Sequence, residues 1–252
     1  MRVGIGQTNP RVGAIEQNRD RILAHVSEAR DRRCDLVVFP ELAVCGYSPL
    51  DSLWRPGYVE ACAEAVEAVR AASAGIGVVI GSIAARTRRE GLNRYDLSSL
   101  ADAAECELFN NAVLIEDGRI LGHASKIHLP SYDVYDEARY FSPGPGSEVF
   151  PVGDWAIGIN VGEDLWVDGG PTELQASLGA DWIINLSASP FYLGKQAIRR
   201  RLVRRRAKES GVGVVLVNLV GGQDDVVFDG ASFIVDADGR LLFEAPAFTE
   251  GL

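Results

Sequence analysis

Two Asp-Gly dipeptides constrain this chain more than any other feature. Asp117-Gly118 and Asp238-Gly239 each divide a strand-forming run, in "FNNAVLIEDGRILGHASK" and "VVFDGASFIVDADGRLLFE". The tightest hairpin turn needs positive φ at both central residues, which Asp and Gly tolerate, so each dipeptide predicts a hairpin. The rest of the chain alternates. Residues 3–9, 35–40 and 76–85 read as strands in the first half, with helical apolar spacing over 15–33 and an Ala-rich helix over 58–75. The second half repeats this, with strands at 155–161, 181–189 and 213–220 and helices at 171–179 and near 194–210. Alternation alone would predict a purely parallel doubly wound sheet. The two hairpins exclude that and predict an α/β fold with mixed sheets and helices outside. No low-complexity linker divides residues 1–252, so a single domain is expected, with 86–107 as a charged, aperiodic polar insertion.

Charge and cysteine usage narrow the function. The net charge of -10 argues against nucleic-acid binding, which needs cations to displace counterions. The N-terminal "MRVGIGQT" lacks the layout of a signal peptide, and no apolar run approaches membrane-spanning length. A cytoplasmic protein with no membrane partner is the expectation. Cys34, Cys45, Cys62 and Cys106 form no C-x-x-C pair, and His25, His123 and His128 are scattered, so free thiols and no metal site are expected. The nucleotide-binding patterns GxGxxG and GxxxxGK[ST] are absent from the sequence, and "GPGSEVF" (144–150) reads as a turn. The arginine-dense "IRRRLVRRRAKE" (198–209) reads as a solvated helix face with Ile198, Leu202 and Val203 turned inward. An anionic-ligand patch or a contact with an acidic partner domain are its alternatives.

Three strand exits could carry chemistry. Glu41 follows the apolar strand in "DLVVFPELAVCGY", where desolvation would raise its pKa and suit it to act as a base. Lys126 closes the first hairpin in "ASKIHLPSY", where it could stabilise an oxyanion. Gly162 ends the strand in "AIGINVGEDLW". Taken alone, Glu41 reads more readily as a loop glutamate and Lys126 as a solvated strand-end lysine. Together the three are a plausible constellation, because strand ends converge at one rim. Glu163 and Asp164 read as satisfying loop backbone groups, and Trp166 equally as a pocket wall or a buried structural residue.

The blocks "FPELAVCGY", "KIHLPSYDVYDEARYF", "GEDLWV", "NLSASPF" and "VNLVGGQDDVVFDGASF" resemble the nitrilase superfamily of carbon–nitrogen hydrolases. The last two narrow the resemblance to the glutaminase domain of glutamine-dependent NAD synthetases. It runs from Val3 to about Glu244 and is interrupted only by the insertion. It implies a four-layer α-β-β-α sandwich and a Cys-Glu-Lys thioester mechanism on glutamine. Glu41 matches the base, Lys126 the lysine and Glu137 a second, positioning glutamate. Tyr132, Ser189 and Lys195 fall where the family contacts glutamine. The family's nucleophilic cysteine precedes "EDLW", and here that place is Gly162. A glycine cannot form an acyl-enzyme, so the chain is expected to be inactive as a glutaminase. An engineered trap, a natural loss and a sequence error all remain open as its origin. Cys45, four residues past Glu41, reads as a small apolar loop residue and not a substitute.

The resemblance also implies partners. Glutamine, a NAD synthetase domain or subunit, and a second copy of the chain in a homo-oligomer are expected. No cofactor is expected in this domain, since ATP and Mg would belong to a synthetase half that the sequence does not contain. A non-catalytic glutamine-binding or interaction module, and an amidase acting on another amide, are the alternatives.

Overall fold

The computed structural model describes residues 1–87 and 106–252. Most of the expected insertion lies outside the described residues. Its flanks are strand: β3 (Gly77–Thr87) pairs antiparallel with β4 (Cys106–Glu116) along its whole length, from Gly77 opposite Glu116 to Thr87 opposite Cys106. Cys106 therefore opens a strand and does not sit in a polar excursion.

Period two sorts the side chains of each strand into layers. In β2 (Leu36–Val38), Leu36 and Val38 pack between the sheets, while Val37 packs under the helices α1 (Ile15–Asp31) and α2 (Tyr58–Ala72). β3 follows the same rule, with Val79 between the sheets and Val78 and Ile80 under the helices. α1 buries Ile15, Ile22, Val26 and Ala29, the one face that helical spacing predicts.

The first sheet has the order β1-β2-β3-β4-β5, with β1 (Val3–Ile5), β2 and β3 parallel and β5 (Arg119–Ser125) joined to β4 around Asp117-Gly118. The second sheet has the order β13-β12-β9-β8-β7-β6. Here β7 (Trp155–Val161), β8 (Trp182–Ser187) and β9 (Gly213–Asn218) are parallel, and β6 (Val149–Val152), a strand missed in the sequence, pairs antiparallel to β7. Ile184, Val215 and Val217 face the first sheet, while Ile183, Val214 and Leu216 face α3 (Pro171–Ser177) and α4 (Lys195–Ser210). Two helices, two facing mixed sheets and two further helices make the four-layer sandwich.

Two expectations need correction. The run 226–244 is not one hairpin. β11 (Val226–Asp229) pairs instead with β10 (Val220–Gln223) in a separate ribbon, and only β12 (Phe233–Val235) and β13 (Leu241–Glu244) flank Asp238-Gly239. The break falls at Gly230 and Ala231, whose φ values of 61° and 48° cannot continue a strand. The arginine run is not a simple solvated face either. Arg199 and Arg206 are fully buried, whereas Ile198 points outward. Arg199 Nη2 donates to both oxygens of Asp229 at 3.0 and 2.9 Å, and Arg206 caps the 162–166 turn by donating to the Leu165 and Trp166 carbonyls. Cys34 lies just before β2, and Cys62 is on α2. Among the described residues, no helix is long and apolar enough to cross a membrane.

Candidate active site

The C-terminal ends of β2, β5, β7 and β8 bring Glu41, Lys126, Gly162 and Ser189 to one cavity of about 190 Å³. Glu41 reaches it because the 40–42 segment crosses directly over β3. A Cβ on Gly81 would stand 2.4 Å from both Pro40 O and Leu42 N, so only glycine permits that crossing. Lys126 is anchored through its backbone, donating to Asn110 O at 2.8 Å. The next two amides, of Ile127 and His128, both donate to Asp164. This is the backbone-satisfying role expected of Asp164. Glu163 departs from that expectation, accepting from the side-chain hydroxyl of Tyr132 at 2.9 Å and not from a backbone amide.

Lys126 is not a solvated lysine. It is 2 % exposed and lies between two buried carboxylates, 2.7 Å from Glu41 Oε1 and 2.6 Å from Glu137 Oε1. Asn110, in the middle of β4, donates from Nδ2 to Glu41 Oε1 at 2.7 Å and, more weakly, to Glu137 Oε2 at 3.5 Å. Tyr47 Oη donates to Glu137 Oε1 at 2.8 Å, and the Ala188 amide donates to Glu41 Oε2 at 2.8 Å. Asn110 and Tyr47 escaped sequence reasoning. The available signal was an Asn-Asn pair inside the apolar run "FNNAVLI", since a buried amide in a central strand requires polar partners.

Burial pushes Glu41 up to about 7, against the pull of the Lys126 ammonium and with the help of the Glu137 charge. Burial alone would lower Lys126, but Glu41 and Glu137 outweigh it and hold the ammonium above its ordinary range. The site therefore contains a proton acceptor near neutrality beside a permanent cation. Stability should follow. An acid whose folded pKa lies above its unfolded value favours the folded state below the unfolded pKa and loses that contribution as pH rises through the folded one. For Glu41 that window runs from its ordinary 4.5 to about 7. Denaturant midpoints should fall between pH 5 and pH 8, and Glu41→Gln should flatten that fall. Identical pH slopes in the two proteins would refute this.

The remaining expected site residues converge on the same cavity. Tyr132, Trp166, Ser189 and Lys195 all line it. Trp166 is half-buried, and Lys195 Nζ sits 4.4 Å from its ring centroid and 5.0 Å from that of Tyr192. Burial, then the Arg199 charge, lowers the Lys195 pKa. The Ser189 hydroxyl is buried and has no hydrogen-bond partner among the described residues, while its amide donates to Asn218.

Gly162 lies at the focus. Its φ is 49°, and a Cβ there would stand 2.7 Å from Lys126 Nζ and 2.8 Å from Glu41 Oε2. Its carbonyl accepts from Asn185 in a buried amide ladder with Asn160. Cys45 cannot replace a thiol there. It packs in the core under the helices, and burial and Cys62 hold its thiol well above the usual range. Among the described residues, no group of three or more His, Cys, Asp or Glu side chains could hold a metal ion.

Residues 2–252 match the family model described as carbon–nitrogen hydrolase. The chain is 35% identical over 261 residues to a glutamine-dependent NAD(+) synthetase of Synechocystis and 37% identical over 253 residues to one of Xanthomonas campestris, covering 99% of this chain each time. It spans 45% and 42% of those two proteins, less than half their length. Among solved structures, the glutamine-dependent NAD+ synthetase of Acinetobacter baumannii, in complex with adenosine diphosphate, matches with a TM-score of 0.88 and 31% identity over 99% of this chain and 44% of that one. A nitrilase-superfamily amidase from Nesterenkonia shares the fold, with a TM-score of 0.82 at 23% identity over 100% of this chain and 88% of that one.

Proposed function

The chain belongs to the carbon–nitrogen hydrolase family, and from that premise we propose that its cavity binds glutamine and does not hydrolyse it. One observation carries this reading. A base and a cation converge to within 2.8 Å of the place where Gly162 would carry a side chain, and a glycine has no atom to activate. A Cys-Glu-Lys glutaminase would need a thiol there, with Glu41 taking its proton and Lys126 facing the oxyanion. The closeness of Glu41 and Lys126 to that position supports this reading. The relatives that are glutamine-dependent NAD synthetases support glutamine as the ligand and ammonia supply to NAD synthesis as the ancestral task. A synthetase domain or subunit is the corresponding partner.

The cavity offers both halves of an amino acid what they need. The side-chain amide faces Glu41 and Lys126. At the other end, the Lys195 ammonium suits the α-carboxylate, and Asp133 and Glu163 suit the α-ammonium. Calorimetric titration tests this. Glutamine is expected to bind, and Lys195→Ala to weaken it about tenfold or more, the worth of one hydrogen bond to a charged group. Equal affinity in the variant would remove Lys195 from the site, and no binding at all would remove glutamine. A homo-oligomer belongs to the same reading, and a compact monomer in sedimentation would count against it.

A further inference from the structure

The hydrogen-bonding capacity around Gly162 is incompletely used, in a specific way. A carboxylate has about four acceptor positions, two on each oxygen. On Glu41, Oε1 accepts from both Asn110 and Lys126, while among the described residues Oε2 accepts only from the Ala188 amide. The under-used oxygen is the one nearer the side-chain position of Gly162, at 2.8 Å against 3.1 Å for Oε1. An ammonium has three donors. Lys126 uses one on Glu41 and one on Glu137, and among the described residues no partner takes the third. Nζ too borders the Gly162 position, at 2.7 Å. One acceptor and one donor, side by side over a residue without a side chain, are the complement of a single water molecule. Glu41, Lys126 and Gly162 all line the cavity, so a water in it can meet both groups without standing where a Cβ would.

We infer that the cavity beside the Gly162 Cα holds a nucleophilic water between Glu41 Oε2 and Lys126 Nζ, and that the chain is a one-step hydrolase of γ-esters of glutamate. The inference rests on glutamine being the ligand, since it places the same γ-carbonyl against Glu41 and Lys126. The water gives one proton to Glu41 Oε2 as its oxygen bonds to the γ-carbon. Lys126 faces the developing oxyanion. The carbon–oxygen bond to the alcohol then breaks, and Glu41 returns its proton to the departing alkoxide. The products are glutamate and the alcohol, and the acid formed releases its remaining proton to solvent. No bond to the protein forms at any stage. Amides stay intact because an amide nitrogen leaves far less readily than an alkoxide, and no thiolate is present to force the reaction.

The test uses the whole chain and glutamate γ-methyl ester as probe. Methanol release is expected at no less than tenfold the buffer rate, rising with pH through neutrality. It is expected to fall at least tenfold in Glu41→Gln, which keeps the shape of the side chain. Gly162→Ala is the second variant: its methyl group would push Lys126 Nζ and Glu41 Oε2 off the water between them, and it should also silence the reaction. Mass spectrometry during turnover should show protein of unaltered mass. A buffer-level rate in a chain that still binds glutamine would overturn the ester activity and leave the binding reading standing. A rate unchanged in Glu41→Gln, or a γ-glutamyl adduct on the protein, would overturn the mechanism. Loss of both ester turnover and glutamine binding would overturn both.

Discussion

Gly162→Cys should turn this chain into a glutaminase, raising ammonia release from glutamine by about 10³-fold or more, the scale on which removing a nucleophile acts in enzymes that depend on one. The new thiol would lie against Glu41 and Lys126, which already border the side-chain position. The substitution also carries a structural cost. The backbone there has a φ of 49°, a conformation that costs a non-glycine residue about 1–2 kcal/mol. The Cβ would meet Lys126 Nζ at 2.7 Å and Glu41 Oε2 at 2.8 Å, closer than carbon tolerates. Both contacts are the far ends of flexible side chains, so they can withdraw by a few tenths of an ångström. The variant should therefore melt below the parent while gaining activity. A folded Gly162→Cys protein with no ammonia release would show that the constellation is not a glutaminase site.

The second large effect concerns Lys126. Lys126→Met would leave Glu41 and Glu137 buried and facing each other without their shared cation. Breaking a buried ion pair from one side typically costs about 3–5 kcal/mol, because the remaining charge has neither water nor partner. The loss should depend on pH. Lys126 is the main influence lowering the Glu41 pKa, so its removal raises that pKa further above about 7. The carboxylic acid would then stay neutral over a wider range, and the damage should be smaller at pH 5 than at pH 8. Urea unfolding at the two pH values measures it. A loss under about 1 kcal/mol at pH 8 would mean that the carboxylates find other compensation.

Much of this was legible in the sequence, and the exceptions share a cause. The elements follow from local information: short apolar runs such as "LVV", helical spacing in α1, and an Asp-Gly turn in each half, whereas the four layers came with the family resemblance. Glu41 and Gly162 stand out because each follows an apolar strand and Lys126 because it closes a hairpin, and strand ends converge on one rim. The missed features depend on partners distant in sequence. Arg199 pairs with Asp229, 30 residues away, and Arg206 with Glu173, 33 away. A dense cationic run carries no local sign that two of its members are inside. Asn110 bonds to Glu41 across 69 residues, and the break between β11 and β12 includes left-handed backbone at Ala231, which that residue type does not announce. Cys45 was read correctly as packing because its neighbours are apolar along the chain as well as in space.

Glutamine is expected to bind in a site intact in everything but its nucleophile. The most direct measurement is ammonia release from the unaltered chain at a glutamine concentration shown by calorimetry to saturate it. Binding is expected, with ammonia at the buffer rate. Ammonia released at enzymatic rates by the chain with Gly162 in place would contradict it.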